Sequence, residues 1–106
     1  MEAALKAIAE PRRRQILRLV TEGEMTAGQI ASHFDVTRPA ISQHLAVLRE
    51  AGLLSERREG TRRIYRLRPE GIEELRAFID SMWADRLLDL KRAAESEEEG
   101  RSRGVG

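Results

Sequence analysis

The sequence predicts a mainly α-helical fold that carries one β-hairpin and ends in a long helix, and three observations predict it. Two helical stretches, "MTAGQIASHF" and "TRPAISQHLAVLREAGLL", are separated only by Asp35-Val36, a link that leaves room for a tight turn and nothing longer. After Gly52 the apolar period changes from helical to alternating, in "LLSERREGTRRIYRLRP". Beyond Pro69, apolar residues from Ile72 to Leu90 return to a helical period but cover more of the circumference than one small domain can bury.

Each element follows from local signals. Glu2 to Ala9 reads as a short helix with Leu5 and Ile8 inward, and Pro11 suits the first turn of a second helix, where its missing N–H costs nothing. That helix, "PRRRQILRLVTEG", buries Ile16, Leu17 and Val20 and ends at Gly23. Thr26 and Gln29 have the spacing of a capping box for a helix of about two turns, with Ile30 and Phe34 on its buried side. Thr37 is the next N-cap, Pro39 lies in the first turn, Ile41, Leu45 and Leu48 form a buried stripe, and Gly52 stops the helix. Two strands over about 53–58 and 62–68 meet at a Glu59-Gly60 turn, with Leu53, Tyr65 and Leu67 inward. The last helix runs from about Glu70 to Glu95. Residues 1–95 thus read as one domain, and 96–106, "SEEEGRSRGVG", as a disordered tail.

Composition narrows the function. The chain of 106 residues suffices for one domain, and with 4% aromatic and 41% apolar residues its core is thin enough to favour an oligomer. No cysteine is present, which excludes disulfides and thiolate metal sites. The first residues lack the basic start and apolar core of a signal peptide, and no apolar run approaches a membrane span, so a cytoplasmic protein is expected. The net charge of +1 hides a polarity: residues 1–69 hold 13 Lys/Arg against 8 Asp/Glu, while residues 70–106 hold 6 against 10. A basic part joined to an acidic helix implies a polyanion-facing surface and a separate association surface.

Between the apolar positions of the helix spanning about 38–51 lie Arg38, Ser42, Gln43, His44 and Arg49, hydrogen-bonding groups rather than inert surface. Two helices joined by a tight turn, the second with such a face, followed by a basic hairpin, make a winged helix-turn-helix pattern. The polar face then suits the major groove of double-stranded DNA, where Gln pairs with adenine and Arg with guanine most characteristically. Thr37, Arg38 and Pro39 stand at the helix N-terminus, which favours phosphate, and Ser42 and Gln43 are the candidates for base contacts. On the wing, Arg57, Arg58, Arg62 and Arg63 are placed to reach backbone. The cluster Arg12, Arg13 and Arg14 is a second candidate for phosphate, against the plainer role of solvating a helix.

"AEPRRRQILRLV", "MTAGQIASHFDVTRPAISQHLAVLREAGLL" and "RREGTRRIYRLRPEGIEEL" resemble the ArsR/SmtB family of bacterial transcriptional regulators over about residues 3–95, with Ser42 to Leu53 matching its S-x-H-L-x-x-L-x-x-A-G-L signature. The resemblance implies a homodimer built from the first and last helices, binding a palindromic operator and usually repressing. It assigns Leu5, Ile8, Leu75, Ile79, Met82, Trp83 and Leu87 to the dimer interface. The family's metal sensors carry a Cys-Val-Cys-type site where this chain has "EMTAGQIA", so the chain is similar to the thiol-free branch.

The plainer alternatives narrow the rest. His44 reads as a structural or phosphate-contacting group rather than a metal ligand, since the neighbouring turns offer no second strong ligand. Asp80, Asp85 and Asp89 could join partner carboxylates in a nickel or zinc site, but without a His a solvated face is the commoner outcome, and no cofactor is expected. Met82 and Trp83 fit packing better than a ligand pocket. No catalytic residues are found: there is no Cys, no Gly-rich phosphate loop and no buried acidic pair. Two other classes remain as alternatives: an effector-responsive sensor with its site at the dimer interface, and a protein-interaction module with incidental DNA affinity.

Overall fold

In a computed structural model the backbone is described over residues 1–105 and the side chains to Glu98. The chain runs α1 (Glu2–Ile8), α2 (Pro11–Thr21), β1 (Met25–Thr26), α3 (Ala27–Ala31), α4 (Arg38–Glu50), β2 (Leu54–Glu59), β3 (Arg62–Leu67) and α5 (Pro69–Val105). Met1–Leu75 and the part of α5 from Arg76 onward form two compact units.

Local capping explains most boundaries. At α2 the Glu10 carboxylate accepts the Arg13 N–H at 3.0 Å, and Pro11 follows at the first helical position. At α3 the capping box is complete: Thr26 Oγ1 accepts from the Gln29 N–H at 3.1 Å, and Gln29 Oε1 accepts from the Thr26 N–H at 2.8 Å. At the end of α4, Gly52 has φ 80°, its N–H donates to the Arg49 carbonyl and the Leu53 N–H to that of Leu48. This is a Schellman motif, and the left-handed residue at its centre is one that glycine adopts without strain.

The core of the first unit is aliphatic: Ile16, Ile30, Ile41, Leu45, Leu48, Leu53 and Leu54 are fully enclosed, with Val20, Ile64, Tyr65 and Leu75 around them. No polar or charged residue is buried among the described residues. α1 contributes Ala4 and Ala7 rather than the expected Leu5 and Ile8, which are half-buried. Small side chains let α1 lie close to α2 and α4, and the larger ones flank that contact. Leu17, Phe34 and Leu67 are likewise half-buried instead of buried.

The sheet has three strands in the order β1-β3-β2, all antiparallel. β1 pairs Met25 with Tyr65 and Thr26 with Ile64; two residues are too few to show alternation in sequence. In the hairpin Glu59 faces Arg62, so the turn is Gly60-Thr61, one residue later than expected. Gly60 has φ 66° and Thr61 is not positive, the pattern of a type II′ turn.

The first turn of α5 lies against the end of α4. A Cβ on Gly71 would stand 1.9 Å from the Gly52 carbonyl oxygen, so only glycine permits this approach. Helix continues past the expected end at Glu95, because "AAESEE" carries no breaker, and its bounds extend to Val105. The helical assignment therefore runs through the segment expected to be a disordered tail; Gly106 and the side chains from Glu99 on lie outside the described residues. Within the second unit Phe78, Met82, Trp83, Leu87, Leu88 and Leu90 are exposed, Trp83 at 62%. No helix of the described residues is long and apolar enough to cross a membrane.

Candidate nucleic-acid interface

α4 separates its two faces cleanly. Ile41, Leu45 and Leu48 are enclosed, while Thr37, Arg38, Pro39, Ser42, Gln43 and Arg49 are exposed. Thr37 Oγ1 accepts from the Ala40 N–H at 3.3 Å and Pro39 has no N–H, so among the described residues the Arg38 N–H is the free donor of the first turn. The helix end therefore offers one free backbone N–H beside the Arg38 side chain, fewer donors than the sequence implies.

Beside this face lies a cleft of about 430 Å³ between the start of α3, the start of α4 and the wing, its rim formed by Thr26, Arg38, Ser42, Arg62, Arg63 and Tyr65. Two predicted helix residues and two predicted wing residues thus share one concave surface. Gln43 lies outside it, on the exposed helix face.

The arginines of the wing divide into two groups. Arg58 and Arg62 are exposed and have no ion pair among the described residues. Arg57 instead binds Glu24 at 2.6 Å and approaches Glu59 at 3.6 Å. The hydrogen bond from Arg57 holds the Glu24 carboxyl below the usual carboxylate range, and the same bond raises the Arg57 guanidinium. Arg63 leans on Glu56, its Nε 3.9 Å away. Burial, followed by the Glu56 charge, pushes the Tyr65 phenol up.

Two residues expected at the interface are engaged elsewhere. Arg49 donates to Glu56 Oε2 at 2.6 Å, joining the end of α4 to β2. His44 is half-buried, with Nδ1 3.5 Å from Arg13 Nη1, so it faces α2 as a structural residue. Helical geometry accounts for the turn inward, since position 44 lies on the same side as 41, 45 and 48. Arg13 also donates to the carbonyls of Ala7 at 2.6 Å and Lys6 at 3.2 Å, and Arg14 to that of Ile8 at 2.7 Å. That pair closes the end of α1, leaving Arg12 and Arg18 as the uncommitted cations of α2 among the described residues. At Glu10, desolvation works upward, but the N–H bond from Arg13, the charge of His44 and the Arg12 N–H outweigh it and lower the carboxyl pKa.

The expected dimer residues also divide. Leu75 is enclosed in its own unit, Leu5, Ile8 and Ile79 are half-buried, and Met82, Trp83 and Leu87 are open. Asp80 pairs with Arg76 at 3.1 Å, and no group of three His or acidic side chains among the described residues converges to hold a metal. Thr26, Thr61 and Tyr65 also line the cleft, which no spacing in the sequence announces; the pairing of β1 with β3 brings Thr26 there.

Residues 10–56 match the family model for bacterial regulatory proteins of the arsR family. The HTH-type transcriptional regulator Rv2034 of Mycobacterium tuberculosis is 38% identical over 96 residues, covering 91% of this chain and 90% of its own length. The transcriptional repressor SdpR of Bacillus subtilis is 48% identical over 60 residues, 57% of this chain and 67% of that protein. Among solved structures, the homodimeric winged helix-turn-helix DNA-binding domain Mb0332 of Mycobacterium bovis superimposes with a TM-score of 0.64 at 36% identity, covering 76% of this chain and 75% of the other.

Proposed function

The chain belongs to the ArsR family of bacterial regulatory proteins, and from that premise we propose that it is a repressor that binds a palindromic operator as a homodimer. Its relatives are transcriptional regulators rather than enzymes, and its fold is the winged helix-turn-helix. In each protomer the exposed face of α4 enters a major groove, with Ser42 and Gln43 at base edges and Arg38 on phosphate. Arg58 and Arg62 hold flanking backbone. The two recognition helices lie about one helical turn of DNA apart, roughly 34–36 Å or a multiple.

The observation that carries this reading is the meeting of Arg38 and Ser42 of the helix with Arg62 of the wing in one cleft, beside a helix whose other face is wholly enclosed. Pairing of the protomers rests on α1, through Leu5 and Ile8, and on α5, through Ile79 and the open side chains of Met82, Trp83 and Leu87. The family relationship to a homodimeric domain supports it. The site of action is the cytoplasm, where the DNA lies.

Titration of the protein against the DNA upstream of its own gene and against a scrambled duplex, at several salt concentrations, tests the reading. The expected operator preference is about 10³-fold or more. Equal and steeply salt-dependent binding to both would overturn it.

A further inference from the structure

Glu56 is the most enclosed carboxylate of the wing, with its side chain 11% exposed, and three groups converge on it. Arg49 Nη1 from α4 lies 2.6 Å from Oε2, the Tyr65 hydroxyl donates to the same oxygen at 3.3 Å, and Arg63 Nε lies 3.9 Å from Oε1. Register explains part of this: Glu56 faces Tyr65 directly, and along the same hairpin Arg58 stands opposite Arg63. Two like charges opposed across a hairpin repel. A carboxylate close by on the same strand relieves them and, through Arg49, ties the wing to the end of α4.

We propose that Glu56 is a positioning residue of the DNA surface, holding Arg49 and Arg63 against the protein so that sequence-blind phosphate contact is left to Arg58 and Arg62. The role presupposes the DNA-binding reading above. A guanidinium 2.6 Å from a carboxylate is already neutralised, so it displaces few counterions from DNA. Restraint of this kind keeps four of the chain's arginines from acting alike: Arg49 braces the angle between α4 and the wing, Arg63 is held on the hairpin itself, and two bind.

Glu56→Gln keeps the shape and removes the charge. Its slope of log affinity against log salt is measured on scrambled DNA beside wild type and Glu59→Gln, an exposed carboxylate of the same hairpin that meets Arg57 at 3.6 Å. The expected result is a slope steeper than that of Glu59→Gln by about 0.9 for each guanidinium released, with tighter binding at low salt. A merely structural defect weakens binding without steepening the slope. Equal slopes for a folded Glu56→Gln and Glu59→Gln overturn the proposal.

Should Glu56→Gln lose cooperative melting, Arg49→Gln and Arg62→Gln decide the matter with Glu56 intact. The expected slope is nearly unchanged in the first and flatter in the second, by about 0.9 for each phosphate left without its cation; equal flattening in both overturns the proposal. These slopes are read on scrambled DNA, whereas the wild-type preference for operator tests the DNA-binding reading, so the two failures are distinguishable.

Discussion

Residues 38–43 of α4 and residues 78–90 of α5 both leave uncovered what a lone domain would use differently. On α4 the open groups are hydrogen-bonding and cationic, while every large apolar side chain of that helix except Val47 is enclosed or half-enclosed. On α5 the open groups are Phe78, Met82, Trp83, Leu87, Leu88 and Leu90. A polar, basic face satisfies itself against phosphate and base edges, whereas an apolar stripe gains by leaving water, at roughly 25 cal/mol per Å². The contrast fits a chain with two partners of opposite chemistry, DNA and a second copy. Neither can replace the other.

The division of labour between the two helices fails most severely at Trp83. Trp83→Asp places a charge in the middle of the apolar stripe, and the expected outcome is a monomer in sedimentation with helical content retained in circular dichroism. Operator affinity should fall about 10²–10⁴-fold as the two recognition helices lose their linkage. A dimer that survives the change would sever α5 from the association role.

A fault at the junction of α4 and α5 comes next. Gly71→Ala drives a Cβ into the Gly52 carbonyl, and overpacking of backbone on backbone is expected to cost about 1–3 kcal/mol or more in thermal unfolding. Gln43→Ala leaves both helices in place and probes the polar face alone. Operator discrimination should drop by about 1–3 kcal/mol while affinity for scrambled DNA stays constant. If the ratio is unchanged, Gln43 does not read bases.

Acid gives the smallest effect. Glu10 and Glu24 both titrate below the ordinary 4.5 in the folded chain. The unfolded chain therefore takes up these protons first as pH falls. Their contribution is complete above pH 4.5 and fades as pH drops through the folded values. Melting temperature followed from neutral to acid pH should decline less steeply below that point in Glu10→Gln/Glu24→Gln than in wild type.

What was legible in the sequence was local. Thr26 with Gln29, Thr37 with Pro39, and Gly52 mark helix ends through contacts within a few residues, and the structure forms each of them. The enclosed stripe Ile41, Leu45, Leu48 and the exposed Arg38, Ser42 and Gln43 follow from the same 3.6-residue period. What was not legible depended on partners distant in the chain. Arg13 meets His44 across 31 residues, and Arg57 meets Glu24, pairings that no spacing announces. The ion pair of Arg57 with Glu24, and those of Arg49 and Arg63 with Glu56, separate these three from Arg58 and Arg62, although all five arginines look alike in sequence. Ala4 and Ala7 are buried where Leu5 and Ile8 were expected because close helix approach favours small side chains over the most apolar ones.

If pairing through α5 presents the polar face of α4 to DNA twice, the spacing of the half-sites must matter as much as their sequence. Affinity for the operator is therefore to be measured after insertion of about five base pairs, half a turn, between its half-sites. Rotation of one half-site to the opposite side of the duplex should reduce binding to that of a single half-site. Affinity equal to that of the uninterrupted operator would show that the two faces do not act as a pair.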